Sequence, residues 1–464
     1  DQLDLPDHIL AAKTMAATEL LRAELDRLVR LVPQAPAAEA RTALAAVAAH
    51  LSVYRSYLPE GMSPLITALR SAEEVLPLTE DTWSAVFDAL IDPDREVARR
   101  FQQFTGAVMA KGVEDTAYYR ANRFIALNEV GGNPGRFGSI VEQFHAAMTH
   151  RQERYPSAMT ALSTHDTKRG EDVRARLAVL AELRDLATPW LESFIERSGV
   201  PNRSLANLLG QTLLGAGPIE PERFHAYAEK AMREAADGTS WTELNVAFED
   251  AVHTAVDLAY TDQDLRDGLE RLWTQIEQPG WSNSLGQKLV SLTMPGVPDV
   301  YQGTELWDDS LVDPDNRREV DFGVRRECLA QTQALLTGII LPPEPLAGPA
   351  PKLPLVDASG LAKFWVTQRA LRLRRERPDL FSEYLPVMAT GTAGHHLLAF
   401  DRGGVITAVT RLPYTLATDH AGWGDTTLPL VGTWRDVLTG AEHQGAVSPV
   451  ELFQGFPVAL LVRG

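Results

Sequence analysis

The sequence has 464 residues, 45% of them apolar and 23% charged, which is ordinary for a globular protein and long enough for roughly two to four domains. A formal net charge of -18 argues against nucleic acid, whose phosphates need a basic face, and leaves a neutral or cationic ligand. A single cysteine, Cys328, excludes an internal disulfide framework and no apolar run approaches the ~20 residues of a membrane span, so a cytoplasmic protein with no membrane partner is expected.

The start, Asp1-Gln2-Leu3-Asp4, carries neither an initiator Met nor a signal segment and is expected to be a cut end within a longer protein. Residues 6–32 place Leu21, Leu25, Leu28 and Val32 on one helical face, and Pro33 and Pro36 stop that helix. A second helix is expected over the Ala-rich residues 37–51. Trp83, Val86, Phe87, Leu90 and Ile91 mark a third, with Thr79 or Asp81 as its cap. The first hundred residues therefore form a helical subdomain, 1–100.

From Phe101 the texture changes. A short apolar stretch, 104–110, runs straight into Lys111-Gly112-Val113-Glu114-Asp115-Thr116, and 128–135 is a loop by composition. A second apolar stretch (Ala158, Met159, Ala161, Leu162) leads into Ser163-Thr164-His165-Asp166-Thr167-Lys168-Arg169-Gly170-Glu171-Asp172. Both are expected as strand-like units, giving a segment of barrel strands and loops over 101–172. A block of helical periodicity then runs to about Ile276 and is expected as a helical insertion, 173–280. Residues 289–294 form a third strand-like unit before the polar loop 295–305, so 281–378 should hold the last barrel strand and helix. A Pro-rich linker is expected over 341–354 and a basic helix over 364–377. Short β-rich runs at 396–400, 404–409 and 457–462 indicate a C-terminal antiparallel β domain, 379–464.

A buried strand that delivers polar groups at its carboxyl end is how barrel enzymes place their chemistry. A His donor beside a carboxylate suits two neighbouring sugar hydroxyls, and the carboxylate can stabilise developing positive charge. The plain alternative is a capping Asp and a core-edge His, yet a cap needs one such residue rather than six. Lys111 and Asp115 are four apart and form an ordinary helical pair if they are not a site. Tyr118 and Tyr119 suit packing as well as sugar stacking. Asp313-Pro314-Asp315-Asn316-Arg317-Arg318 reads equally as ligand contact or solvated loop, and the arginines at 372, 374, 375 and 377 as a wet helix face. Walker, dinucleotide, zinc-protease and nucleophile-elbow motifs are absent.

These segments resemble a known family. Residues 163–172 look like the fourth signature region of α-amylase-superfamily enzymes, in the form found in maltooligosyltrehalose synthases. Residues 108–119 and 295–318 resemble the same enzymes. The resemblance implies an α/β fold: the C-terminal half of a (β/α)8 TIM barrel, with large helical insertions and the C-terminal antiparallel β domain. It implies conversion of the reducing-end α-1,4 bond of a maltooligosaccharide to an α,α-1,1 bond, with retention through a glycosyl-enzyme intermediate. Asp166 would be a catalytic carboxylate favouring the oxocarbenium-like state. His165, Lys111, Glu114, Asp115, Tyr118, Lys168, Arg169, Asp315 and Arg318 would bind substrate. No metal or other cofactor is implied.

The family's nucleophilic Asp, in a G-x-R-x-D motif, and its acid/base Glu are not in this chain. A separate N-terminal portion is therefore expected to complete the barrel and to bring both groups to about 5–5.5 Å of each other. The alternatives are an α-glucan hydrolase of the same superfamily, and a non-catalytic glucan-binding fragment if the chain stands alone.

Overall fold

Helices form wherever apolar residues recur every three to four positions. A computed structural model describes residues 4–336, 353–419 and 422–464. The expected linker at 341–354 lies outside them except for its last two residues. The chain divides into two units. One comprises Asp1–Gly135, Arg197–Leu209 and Ala228–Leu258, the other Arg136–Glu196, Gly210–Tyr227 and Ala259–Gly464.

In the first unit, helices Arg22–Val29, Ala37–His50, Met62–Val75, Glu80–Ile91 and Glu96–Met109 surround a core that includes Leu25, Leu28, Leu44, Leu69, Trp83, Val86 and Phe101. Thr79, not Asp81, caps the Glu80–Ile91 helix, its hydroxyl accepting from the Thr82 amide at 3.3 Å. Phe87, expected on the apolar face, is exposed. The stretch 104–110, expected as a strand, is helical, and Glu96–Met109 passes directly into a π-helix, Ala110–Ala117. Phe101, Phe104 and Val108 bury together at helical spacing, a period that a short apolar run does not by itself separate from a strand.

Among its described residues the second unit carries eight strands. β1 (Met159–Ala161) and β2 (Val297–Asp299) form a parallel pair, Met159 opposite Val297 and Ala161 opposite Asp299. The expected strand at 289–294 is instead the end of a long helix, Gln263–Thr293. Leu285, Leu289 and Leu292 recur at i, i+4 and i+7 and bury on one face. The strand begins only after Gly296, whose φ of 126° reverses the chain.

β3 (Leu385–Val387), β4 (Leu397–Asp401), β5 (Val405–Thr410), β6 (Leu428–Asp436), β7 (Glu442–Val447) and β8 (Val458–Arg463) make an antiparallel sheet in the order β3-β4-β5-β8-β6-β7. β5 is buried on both faces. Val405 and Val409 share a core with the long helix and with Trp365, and Ile406 and Ala408 share another with Leu428 and Trp434. β8 alternates in the same way, as the two-residue period of a strand requires. The basic helix forms as Leu361–Glu376. One of its arginines departs from the expected wet face, since Arg374 donates inward to the Leu292 and Gly296 carbonyls.

Buried Arg402 follows β4. Its guanidinium donates to the carbonyls of Thr293 (2.7 Å) and Phe381 (2.6 Å), to the Glu383 carbonyl, and to Gln152 Oε1 at 3.0 Å. No described helix is long and apolar enough to cross a membrane.

Candidate functional site

The loop after β1 is built by its own side chains. The Thr167 hydroxyl donates to the Thr164 carbonyl at 3.0 Å, and the Asp166 amide donates to Thr164 Oγ1 at 3.2 Å. These local bonds turn the chain sharply at the carboxyl end of the strand. His165 is left exposed, and the Asp166 side chain is 50% exposed. Both are presented outward on a fixed turn, where they can reach ligand hydroxyls.

Lys168 and Arg169, also expected to bind substrate, are buried. Lys168 Nζ lies 3.7 Å from Asp166 Oδ1, and Arg169 donates to the Tyr227 hydroxyl at 3.4 Å.

A second segment is laced to the first. Asn316 donates to the His165 carbonyl at 2.9 Å, Arg169 bridges Leu311, and the Gly170 amide donates to the Ser310 carbonyl at 2.7 Å. Asp315 does not stand free: Arg223 grips it through two bonds of 3.0 and 2.9 Å and also reaches Asp309 at 3.2 Å. Arg318 pairs with Asp309 at 3.0 Å and approaches Asp315 at 3.5 Å. Burial works to raise the Asp315 carboxyl, but the Arg223 hydrogen bonds and charge hold it below its ordinary value.

Beneath this surface lies a buried ionic cluster. Glu171 accepts from Lys288 at 2.6 Å and Lys363 at 2.8 Å, and Lys363 reaches Asp172 at 2.6 Å and the Leu306 carbonyl at 2.9 Å. Asp172 also accepts from the Asp308 amide at 2.6 Å, and Ser163 Oγ accepts from the Glu171 amide at 3.1 Å. Burial opposes charge on Glu171, yet the Lys363 and Lys288 ammoniums hold its carboxyl below the usual range. Burial, reinforced by the Lys363 charge, pushes the Lys288 ammonium down. The polar run 163–172 contains Glu171 and Asp172, but nothing local could name their partners more than a hundred residues away.

The remaining expected residues lie in the first unit. Lys111 and Asp115 form the i,i+4 pair at 2.6 Å. Glu114, one turn away, is buried. It accepts from the Tyr54 hydroxyl and from the Gly131 amide at 3.1 Å. Tyr54 went unnoticed in the sequence, since no motif marks it.

Tyr118 and Tyr119 are buried, and the Tyr118 hydroxyl donates to the Gly132 carbonyl at 2.8 Å. Burial, then the Glu114 and Glu129 charges, push the Tyr118 phenol up to about 12. Among the described residues, no group of three or more His, Cys, Asp or Glu side chains is placed to hold a metal ion.

No family model matches the sequence. A Mycobacterium tuberculosis protein assigned as a maltooligosyl trehalose synthase is 42% identical over 482 aligned positions, covering 100% of this chain and 58% of that protein. The structure of maltooligosyltrehalose synthase from Arthrobacter ramosus is 44% identical and superposes with a TM-score of 0.90 over 98% of this chain and 58% of its own. A further maltooligosyl trehalose synthase structure, 25% identical, gives 0.76 over 100% and 58%. The chain thus spans less than two thirds of the relatives it matches. In sequence and in fold, this chain is a homologue of the maltooligosyltrehalose synthases, similar over its whole length to a C-terminal portion of them.

Proposed function

We propose that the chain is the C-terminal portion of an enzyme that converts the reducing-end α-1,4 bond of a maltooligosaccharide to an α,α-1,1 bond. The observation that carries this reading is the outward His165–Asp166 turn at the end of a parallel strand, in a chain homologous to proteins named for that product. β1 and β2 would be two strands of a (β/α)8 barrel, the rest coming from an N-terminal portion. That portion would also bring the nucleophilic Asp and the acid/base Glu of a retaining mechanism.

In this scheme the glycosidic bond breaks as the nucleophile attacks the anomeric carbon and the Glu protonates the leaving oxygen. The released glucose end then reattacks through its own anomeric hydroxyl, restoring both carboxyl groups. Asp166 would hold ring hydroxyls and stabilise the oxocarbenium-like charge, and His165 would donate to the same ring.

Incubated with maltopentaose, the longer protein containing this chain should consume reducing ends without shortening the oligosaccharide. Glucose as the main product would replace this reading with an α-glucan hydrolase. Asp166→Asn should lower turnover by several orders of magnitude with oligosaccharide binding retained, and a small effect would reduce Asp166 to a structural cap.

A further inference from the structure

Tyr57 is a bulky residue held in the left-handed region, at φ 48°, a conformation that side chains of its type seldom adopt. It is also 66% exposed, with the Arg55 guanidinium 5.1 Å from its ring centroid. Exposed strain of this kind relaxes unless the surroundings fix it, and here they do. The Tyr54 carbonyl accepts from Thr105 Oγ1 at 3.0 Å, the Tyr54 hydroxyl donates to Glu114, and the Leu58 amide donates to Gln102 Oε1 at 3.1 Å. The turn closes with the Gly61 amide donating to the Tyr57 carbonyl at 3.2 Å, and a Cβ at Gly61 would fall 1.3 Å from the Ser56 carbonyl oxygen.

Every side-chain tie falls on the residues beside Tyr57, whose own carbonyl alone is held, by Gly61, and the ring is open to water except where Arg55 lies over it. Its exposed sequence neighbours are Ser52, Tyr54, Arg55, Pro59 and Glu60, so the ring lies in a small patch where aromatic and apolar faces alternate with hydrogen-bonding groups. That is unlike the contiguous apolar patch of a protein interface. A pyranose matches it, with C–H groups for the ring face and hydroxyls for the charged neighbours, and a neutral sugar meets no opposition from the chain's net charge of -18.

We infer that the Tyr54–Tyr57 turn is a binding subsite for an α-1,4-linked glucose unit, with Tyr57 as its stacking platform and Arg55 as a hydroxyl donor. The same turn presses on Glu114, so the subsite adjoins the buried carboxylate of the Lys111–Asp115 segment. This rests on the glucan reading above and adds to it a place where the 464-residue chain itself holds the oligosaccharide.

Isothermal titration of the chain with maltoheptaose tests it. Tyr57→Ala should weaken binding at least tenfold and Tyr57→Trp should retain it. Tyr57→Gly should also lose binding while raising the thermal midpoint, because glycine relieves the backbone strain. A structural tyrosine would instead lower the midpoint when replaced. Unchanged affinity in Tyr57→Ala, or no binding of maltoheptaose by the unaltered chain, would overturn the subsite. Either result leaves the proposed reaction to be judged separately, by the maltopentaose product of the longer protein.

Discussion

Lys13 shows how one side chain can write itself into a pH profile. It is buried in the first unit and donates to the Leu51 carbonyl at 2.6 Å. Gly112 leaves room for it, since a Cβ there would lie 2.6 Å from Lys13 Cα. Burial pushes the amine down to about 8 from an ordinary 10.5.

The folded-state value is therefore the lower one, and between about pH 8 and 10.5 the unfolded chain binds more protons. Stability from this group should rise with pH across that window, by at most about 1.4 kcal/mol per unit. Denaturant titrations at pH 7.5, 9 and 10 should show the rise, and Lys13→Met should flatten it. A profile that falls over this range in the unaltered protein and not in the variant would contradict the assignment. Nothing in the sequence set Lys13 apart, because one lysine on an Ala-rich helix looks solvated until the facing helix is known.

Between elements, the buried ions do what backbone pairing cannot. Lys363 on one helix and Lys288 on another meet Glu171 and Asp172 at the start of a third, directly after the His165–Asp166 turn. Replacing Lys363 with Met would strand the buried Asp172 carboxylate and leave Glu171 with Lys288 alone, a change that costs about 3–5 kcal/mol. Chemical denaturation should report a loss of that size, and the double change with Asp172→Asn, which leaves the Lys288–Glu171 pair intact, should recover much of it. Equal losses in both variants would mean that Lys363 acts through packing alone.

Helices were largely legible from sequence because their spacing repeats over many residues, as in Leu25, Leu28 and Val32. The strands were less so. Phe104–Val108 and Leu289–Leu292 are as apolar as β1, and only the neighbouring Phe101 and Leu285 reveal their helical period. The site was legible where it is local, at the turn of Thr164 to Thr167. It was hidden where it depends on Arg223, whose grip on Asp315 spans 92 residues.

For the molecule as a whole, β1 and β2 pose a question of cover. Met159 is 72% and Val297 48% exposed, and Ala161 and Asp299 share that open face, while Thr160 on the reverse is buried. Parallel strands are normally covered on both faces, and two alone are marginal. The 464-residue chain should therefore bind a hydrophobic dye, and the fluorescence should fall when the proposed N-terminal portion is supplied. Met159→Lys should leave the chain folded but weaken that association. Dye binding unaffected by the added portion would count against barrel completion.

Arg402 has the opposite effect on its surroundings, joining where β1 and β2 lie open. One guanidinium serves the end of the long helix, the turn before β3 and a side chain of the Val141–Arg154 helix. If the sheet peeled away, all of these acceptors would lose the same charged donor at once, about 1.5–3 kcal/mol for each such bond, so the sheet resists partial detachment. In terms of cooperativity, this shared donor should make β3–β8 unfold together with the Val141–Arg154 and Gln263–Thr293 helices, so the sheet should not behave as a module that can be cut off or exchanged.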